Sequence, residues 1–409
     1  MTIYYICSMA SFPKKLTIKL EERTKQNSLR ELPFSNNLID FFSNDYIGFA
    51  QSIDIFQEAS RILKEKNIIQ NGATGSRLIS GNHSLYIELE EYISEFHNTE
   101  AALVFNSGYD ANVGFFSALP QRSDIIFYDE FIHASIRDGI AMSNAKGYKF
   151  KHNNLDDLKA VINRVLTSLD FSNDILVNEY NRSEIYVVTE SVFSMDGDSP
   201  DLKAFADFCS NKNYHFVVDE AHAIGVFGNK GQGLVFDLEL QNQVFAQIVT
   251  FGKAMGCHGA AILGSQKLKD FLINFARSFI FTTGLPPHAI ATILAAYIKL
   301  SNKNEAVNSI TSRSDLFKNI TYFKSQLESF GLTSLFIDSN SAIHCCLISG
   351  NENVKAIASE IQKQGFAIKA IVAPTVPKGQ ERLRFCLHNY NKKEDIKNVL
   401  SILKKIITN

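Results

Sequence analysis

A single lysine, Lys253, stands between two apolar runs in the stretch VTFGKAMGCHGAAILG, residues 249–264. The run before it predicts the end of a buried strand, and the run at 260–263 predicts the start of another. An ammonium group between buried strands costs several kcal/mol to desolvate unless another group compensates. A partly desolvated amine with a lowered pKa is also the group that forms a Schiff base with an aldehyde cofactor. The position of Lys253 therefore predicts a chemical role for it.

Polar groups end the neighbouring predicted strands in the same way. Asp219 and His222 follow the apolar start of VVDEAH, and Thr250 lies three residues before Lys253. Because ligands bind at the carboxyl ends of strands in open α/β sheets, these side chains are expected to converge. Pyridoxal phosphate requires a lysine for its aldehyde and a carboxylate that keeps its pyridine nitrogen protonated. Lys253 and Asp219 suit these two roles, and His222 suits the phenolic oxygen.

The phosphate of such a cofactor requires a set of backbone donors. Ser107, Gly108 and Tyr109 lie between a predicted strand and a predicted helix, where N–H groups and the positive helix end bind anions. Each candidate also has an ordinary structural explanation. A strand-end aspartate is as often a helix cap, Gly108 suits a simple turn, and His133, in HASI, suits an exposed or hydrogen-bonded histidine. The order of the parts along the chain, more than any one of them, favours the cofactor site.

Helical and strand patterns alternate through the middle of the chain. Apolar residues at 85, 89, 92, 93 and 96 recur at helical spacing, and those at 202, 205 and 209 mark a second helical face. Short apolar runs predict strands at 102–105, 125–128, 185–189, 216–219 and 248–251. Strands separated by helices need crossover connections, so the predicted fold class is α/β with a mainly parallel sheet covered on both faces.

The pattern changes near Pro287. A long helix predicted at 289–300 is followed by strands at 343–347 and 383–387, and a helix with an apolar face at 396–406 comes last. We predict an N-terminal arm (1–60), a large α/β domain (61–287) and a smaller C-terminal α+β domain (288–409).

The composition of the 409 residues bounds the possible functions. Hydrophobic residues make up 45% of the chain, which is enough for a sizeable core. The 41 basic and 43 acidic residues nearly cancel, which argues against a nucleic-acid or membrane-surface partner. The cysteines form no C-x-x-C pair and predict reduced thiols in the cytoplasm. Neither a membrane span nor a signal peptide is expected, and Met9 is an alternative start because the amphipathic pattern begins only after Pro13.

The ordered set of motifs resembles the α-oxoamine synthases, a subgroup of fold-type I pyridoxal-phosphate enzymes, over nearly the whole chain. The matching stretches are 42–48 (FSNDYIG), 75–83 (GSRLISGNH), 107–112 (SGYDAN), 133–135 (HAS), 192–198 (VFSMDGD), 219–222 (DEAH), 250–253 (TFGK) and 374–377 (PTVP). So many motifs in one order make the resemblance specific. It implies an enzyme that joins an amino acid to an acyl thioester, carried by coenzyme A or an acyl carrier protein, with loss of carbon dioxide.

The resemblance implies roles for individual residues. Lys253 corresponds to the lysine that carries the cofactor and removes the Cα proton of the amino acid. His133 corresponds to the imidazole stacked on the cofactor ring, and Thr250 to a hydroxyl that binds the phosphate. Further cofactor contacts are implied at Ser194, Asp219 and His222.

Other residues are implied to act on the substrate or across a subunit boundary. Thr282 and Thr283 resemble a segment that reaches the phosphate from a second subunit, which implies a homodimer with shared active sites. Arg384 matches the arginine that binds the amino acid's carboxylate, where a planar guanidinium forms a bidentate pair. Asn44 falls at a position near the bound amino acid.

The identity of the substrates is less defined. Arg30, in NSLR, resembles the corresponding position of members that condense L-alanine with a pimeloyl thioester, and Thr375 is a second candidate contact for the acyl chain. Many members have an arginine two residues before Pro374, where this chain has Val372, so the distal end of the acyl chain has no assigned partner. Members with other substrates share the core motifs and stay open as alternatives: 2-amino-3-ketobutyrate ligase, serine palmitoyltransferase and 5-aminolevulinate synthase.

Three functions of other classes are compatible with parts of the sequence. VVDEAH also matches the D-E-A-H box of a helicase, but that reaction needs G-x-x-x-x-G-K-[ST], and here Gly252-Lys253 is followed by alanine. A metal hydrolase built on His133, His222 and Asp219 lacks H-E-x-x-H and a compact ligand set, so no metal is predicted. A non-catalytic subunit with the same fold is the third alternative, and the retained Lys253 argues against it.

Overall fold

The computed structural model describes residues 12–30, 32, 37–168, 183–301 and 306–408, and the alternative start at Met9 lies outside them. The strands of the described chain are β1 (Ile39–Asp40), β2 (Ala101–Phe105), β3 (Ile125–Asp129), β4 (Lys146–Phe150), β5 (Ile185–Glu190), β6 (His215–Asp219), β7 (Ala246–Thr250), β8 (Ala260–Gly264), β9 (Ile343–Leu347), β10 (Phe366–Ala367), β11 (Lys369–Ile371) and β12 (Arg382–Cys386). The helices are α1 (Lys14–Lys25), α2 (Ile53–Glu65), α3 (Ser84–His97), α4 (Gly108–Ala118), α5 (Ala134–Met142), α6 (Leu155–Ser168), α7 (Leu202–Lys212), α8 (Leu234–Asp237), α9 (Gln266–Phe275), α10 (Arg277–Ile280), α11 (Pro287–Ser301), α12 (Ala306–Phe330), α13 (Asn351–Lys363) and α14 (Lys393–Thr408).

A seven-stranded sheet in the order β2-β8-β7-β6-β5-β3-β4 forms the centre of the fold. Its strand pairs are parallel except for those of β8, which runs antiparallel to both of its neighbours. The prediction of a mainly parallel sheet is confirmed. Because β8 is reversed, β2 points the same way as β7. The carboxyl ends of β2, β5, β6 and β7 therefore meet at one edge of the sheet.

Both faces of this sheet are covered by helices, and the alternation of side chains along the strands explains how. Val217 of β6 packs in the cluster that contains Phe115 of α4, whereas its neighbour Val218 packs with Phe205 of α7 on the other face. Strands buried on two faces consist of continuous apolar residues, as the predicted runs do. The predicted strands and helices are confirmed to within one or two residues; β7, for example, ends at Thr250, one residue before Phe251.

The edge strand β4 was not predicted. Its sequence, KGYKF, has one buried residue, Phe150, and two lysines. Lysines at an exposed edge discourage further strand pairing, and they also remove the apolar run that would indicate a strand.

A second, three-stranded antiparallel sheet has the order β11-β12-β9. Its middle strand, β12, is fully buried, and Arg384 there faces Cys345 of β9 in the register. A short parallel pair joins β1 to β10. The helix α2 continues across residue 60, the predicted limit of the N-terminal arm, and α11 begins at Pro287, so the division into an arm and two domains stays a prediction.

The helices of the described chain also bear on whether the protein could span a membrane. None of those in the described ranges combines the length and the apolar character needed to cross a bilayer.

Candidate active site

The parallel strands bring four functional groups to one edge of the central sheet. Glu190, the last residue of β5, is the register partner of Asp219, the last residue of β6. Thr250 ends β7, the next strand, and Ser107 follows the end of β2. The predicted convergence of the strand ends is confirmed.

Lys253 lies in the tight loop between β7 and β8. Gly256, in the same loop, has a φ of +63°, and a Cβ atom there would lie 2.2 Å from the backbone nitrogen of Ala50. Glycine alone permits this conformation and this close approach. The loop is thus pressed against residues 49–50, and Lys253 is left half-buried at the sheet edge.

The surroundings of Lys253 favour its neutral form. Burial lowers the pKa of Lys253, and the charges of Asp219 and Glu190 oppose that shift without cancelling it. The pKa of Glu190 is itself raised to about 8 by burial and by the repulsion of Asp219. A lowered lysine pKa enlarges the fraction of neutral amine near pH 7, which is the nucleophilic form.

The start of α4 forms a cradle that fits a phosphate. Ser107 caps the helix, and its Oγ accepts a hydrogen bond of 3.0 Å from the Asp110 backbone N–H. A Cβ atom on Gly108 would lie 2.6 Å from Thr250 Oγ1, so the threonine hydroxyl sits directly beside the helix terminus. The unpaired N–H groups of the first turn and the positive helix end attract anions. Tyr109 contributes its backbone here, because its exposed side chain donates to Asp138 Oδ2 at 2.8 Å.

Asp219 is a buried carboxylate with a fixed orientation. Its Oδ1 accepts from the Ala221 N–H at 2.9 Å, and its Oδ2 accepts from Asn112 Nδ2 at 2.9 Å. A buried carboxylate held by donors fits the pyridine nitrogen of the cofactor. The chain's residues therefore fit pyridoxal phosphate at its amine, nitrogen and phosphate positions.

His222 is linked to the residues expected to bind the amino acid. Its Nδ1 lies 2.7 Å from Tyr46 Oη, which in turn lies 3.1 Å from Asn44 Oδ1. Arg384 Nη2 donates to the same Asn44 oxygen at 3.0 Å. Burial, together with the positive charges of Lys253 and Arg384, lowers the pKa of His222 well below its usual value, so this imidazole is neutral.

Arg384 connects the two sheets. Its Nε donates to the carbonyl oxygen of Ser194 at 2.7 Å, and its Nη1 lies 2.9 Å from Cys386 Sγ. Ser194 belongs to the loop that follows β5, so the guanidinium on β12 is oriented by the central sheet. Nη2 contacts two neutral acceptors, Asn44 and Tyr46. A carboxylate is a stronger acceptor than either and can displace them.

His133 caps the helix α5 and is held from two sides. Its backbone N–H donates to Glu190 Oε1 at 2.6 Å, and its Nδ1 lies 2.7 Å from Ser135 Oγ. Burial beside its neighbours and the charge of Lys253 lower the pKa of His133. His133 is nevertheless exposed as a residue, so solvent reaches part of it.

Of the four remaining predicted residues, two adjoin the phosphate cradle and two lie apart from it. Asn106 Nδ2 donates to Thr282 Oγ1 at 3.2 Å and to the carbonyl oxygen of Thr283, one residue from the phosphate cradle. Arg30 and Thr375 are exposed, and among the described residues no side-chain hydrogen bond joins either one to the cluster around Lys253. Their proposed roles rest on the resemblance alone.

The sequence did not single out Tyr46, Asn112 and Ser135, although each falls in a quoted motif, nor Glu190, which directly follows the strand predicted at 185–189. Asn112 is the most detectable of them, because it is a polar residue on the apolar face of α4, where it is 3% exposed. A polar residue on a buried helix face predicts a hydrogen-bond partner in the core.

The fold and the site belong to a known family. Residues 36–403 match the family described as aminotransferase class I and II. The chain belongs to this family, and within it to the α-oxoamine synthases, which are pyridoxal-phosphate-dependent enzymes.

Two relatives are similar to this chain over nearly its whole length. The chain is 37% identical to 8-amino-7-oxononanoate synthase of Emericella nidulans, covering 94% of this chain and 92% of the relative. A putative 8-amino-7-oxononanoate synthase of Bacillus cereus is 34% identical, at 93% and 94% coverage.

Solved structures of two kinds resemble the chain. Serine palmitoyltransferase of Sphingomonas wittichii is 25% identical with a TM-score of 0.83, covering 97% of this chain and 98% of that one. 8-Amino-7-oxononanoate synthase of Francisella tularensis is 27% identical with a TM-score of 0.73, covering 91% and 99%.

Proposed function

We propose that the protein is an 8-amino-7-oxononanoate synthase, which condenses L-alanine with a pimeloyl thioester in biotin biosynthesis. The observation that carries this proposal is the 37% identity, over 94% of the chain, to a relative with that name. In the balanced reaction, the alanine Cα loses its proton and bonds to the thioester carbonyl carbon, and the thiolate leaves and takes up a proton. The alanine carboxyl group then departs as carbon dioxide, and a proton replaces it at Cα.

Binding of the amino acid is assigned to Arg384 and Asn44. Arg384 is fixed through its Nε by the Ser194 carbonyl, which leaves the terminal nitrogens to bind the carboxylate of alanine. The Asn44 amide and the Tyr46 hydroxyl occupy Nη2 before the substrate arrives. Their replacement by a charged acceptor strengthens the bond and orients the Cα–H bond for proton removal.

Proton removal is assigned to Lys253. Pyridoxal phosphate, when bound, supplies an aldehyde for the amine and a ring that accepts the electron pair released at Cα. Asp219 would hold a proton on the ring nitrogen, and neutral His222 would bind the phenolic oxygen. Lys253 Nζ, with its lowered pKa, is available as a neutral base for the Cα proton.

Binding of the acyl thioester is assigned to His133, Arg30 and Thr375. His133 is exposed at the start of α5, and we propose that the acyl group approaches from its side of the site. Arg30 and Thr375 are the proposed contacts of the pimeloyl chain. Val372 packs against the core, where a charged partner for a distal carboxylate would otherwise stand.

We further propose a homodimer in which each active site uses Thr282 and Thr283 of the other subunit. Large apolar side chains are exposed on two segments here: Ile79 at 86% and Phe281 at 72%. The segments adjoin, because the Gly284 N–H donates to the Gly75 carbonyl at 2.9 Å. Clustered exposed apolar side chains are typical of a protein interface.

A cytoplasmic location is proposed as well. The cysteines of the described chain, Cys209, Cys257, Cys345, Cys346 and Cys386, are free thiols. Proteins of reducing compartments keep such thiols.

A second candidate is the condensation of serine with palmitoyl thioester, favoured by the TM-score of 0.83 to the Sphingomonas wittichii enzyme. One panel distinguishes the two. Purified protein is incubated with alanine, glycine or serine, each combined with pimeloyl, acetyl, succinyl or palmitoyl thioester, and the amino ketones are identified by mass spectrometry. We expect alanine with pimeloyl thioester to give the largest kcat/KM. Faster turnover of serine with palmitoyl thioester would overturn the assignment and leave the reaction class intact.

A further inference from the structure

A continuous chain of hydrogen bonds joins His133 to Asp219 through two residues without an assigned function. His133 Nδ1 lies 2.7 Å from Ser135 Oγ, and Ser135 Oγ lies 3.0 Å from Asn112 Nδ2. The same Asn112 nitrogen lies 2.9 Å from Asp219 Oδ2. Ser135 is fully buried and Asn112 is 3% exposed, so water does not compete with these contacts.

The direction of every bond in this chain is determined by chemistry. The Asp219 carboxylate can only accept, so the Asn112 amide must turn its NH2 group toward it. The second N–H of that group then donates to Ser135 Oγ. At the other end, the Ser135 backbone N–H donates to His133 Nδ1 at 3.2 Å. An amide N–H cannot accept, so Nδ1 carries no proton and also accepts from the Ser135 hydroxyl.

The orientation of Asn112 has a cost that supports this assignment. Its Oδ1 is buried with no hydrogen-bond partner among the described residues. Leaving a buried carbonyl unpaired is unfavourable. This orientation of the amide is nevertheless favoured, because both of its N–H groups donate to fixed oxygens, one of Asp219 and one of Ser135.

We propose that Ser135 and Asn112 are positioning residues that hold His133 neutral, with its single ring proton on Nε2, through a one-way hydrogen-bond chain anchored on Asp219. His133 is thereby a hydrogen-bond donor at Nε2 and cannot act as a base there. The inference rests on the proposed function in one respect. Under that function, the Nε2–H group donates a hydrogen bond to the carbonyl oxygen of the entering thioester.

The charged groups around His133 do not provide this control by themselves. Lys253 and Arg137 disfavour its protonation, whereas Asp219 and Asp138 favour it. Glu190 bonds to its backbone N–H and not to the ring. Burial itself lowers the pKa of His133, but neither burial nor these charges select the ring nitrogen that carries the proton. The bonds at Nδ1 do, because a proton there would face the Ser135 N–H.

The test is an NMR titration of the full-length protein labelled with 15N-histidine, as purified and without substrates. The His133 signal is assigned by its loss in His133→Gln. In the wild type we expect the proton on Nε2 and a bare Nδ1. Ser135→Ala removes one donor to Nδ1, so the His133 pKa should rise by about one unit, a tenfold change in proton affinity and the size of one neutral hydrogen bond. Ser135→Thr keeps the hydroxyl and should restore the wild-type pKa.

Asn112→Leu should raise the His133 pKa in the same direction, and the double variant with Ser135→Ala should add little, because both changes break one chain. Asn319→Leu is the matched control. It removes another buried amide, which donates to the carbonyls of His388 and Asn391, and should leave His133 unchanged.

A proton on Nδ1 in the wild type, or equal His133 pKa values in Ser135→Ala and Ser135→Thr, would overturn the proposal. Additive shifts from Ser135 and Asn112 would overturn the chain between them. If Asn112→Leu does not fold, the comparison of Ser135→Ala with Ser135→Thr tests the proposal by itself. Because no thioester is used, failure here is separate from failure of the substrate assignment, which the substrate panel reports.

Discussion

Thr250 Oγ1 lies so close to Gly108 that a Cβ atom added to the glycine would be only 2.6 Å from it. The two residues are far apart in sequence, one at the start of α4 and the other at the end of β7. Their contact places a hydroxyl beside the unpaired N–H groups of a helix terminus, which is a favourable site for a phosphate.

Gly108→Ala should therefore weaken binding of pyridoxal phosphate by about 10- to 100-fold, because overpacking of 1–3 kcal/mol displaces the Thr250 hydroxyl. Binding is measured by titration of the cofactor-free protein with the cofactor and absorbance detection. Gly72→Ala is the control, since a Cβ there would meet nothing within 4 Å. Equal affinity of both variants would show that the cradle does not hold the phosphate.

Asp219→Asn should still bind the cofactor but slow exchange of the alanine Cα proton by orders of magnitude. An amide cannot hold a proton on the ring nitrogen as a carboxylate does, so the ring no longer accepts the electron pair. Exchange with deuterium oxide is followed by NMR of the alanine. Asp201→Asn, at the N-cap of α7, is the control. Near-normal exchange in Asp219→Asn would assign the proton to another group.

The sequence predicted the strand ends well and the contacts between them poorly. Lys253 and Asp219 follow apolar runs, and such runs are local patterns that one sequence displays. The contact of Tyr46 with His222 spans 176 residues, and that of Asn112 with Asp219 spans 107. Contacts of this kind depend on how helices and strands pack. A polar residue within a motif indicates that a partner exists but does not identify it.

The proposed sharing of active sites predicts complementation between subunits. Lys253→Ala chains and chains with both Thr282→Ala and Thr283→Ala should each be inactive. Mixed heterodimers should regain activity, because one of their two sites combines an intact lysine with intact threonines. The heterodimer is purified with two affinity tags and assayed for product. An inactive, verified heterodimer would argue that each site is built from one chain.

His152 predicts a pH dependence of stability. Burial alone would lower its pKa, but Asp129 and Asp198, each 2.9 Å from a ring nitrogen, raise it to about 10. A raised histidine pKa contributes stability that is complete below the unfolded value of 6.5 and is lost as the pH rises through the folded value.

The free energy of unfolding in urea is compared for the wild type and His152→Gln at several pH values, with protein and cofactor concentrations fixed. The advantage of the wild type should be largest below pH 6.5 and should shrink as the pH rises toward 10. A difference that does not change with pH would mean that the two carboxylates do not hold a proton on His152.

The central claim, that Lys253 carries the cofactor, is tested most directly by reduction and peptide mapping. Purified protein loaded with pyridoxal phosphate is treated with borohydride, digested, and analysed by mass spectrometry. We predict that the cofactor's mass appears on the peptide that contains Lys253 and on no peptide of the Lys253→Ala variant. Attachment to a different lysine, or no attachment at all in the wild type, would contradict the account.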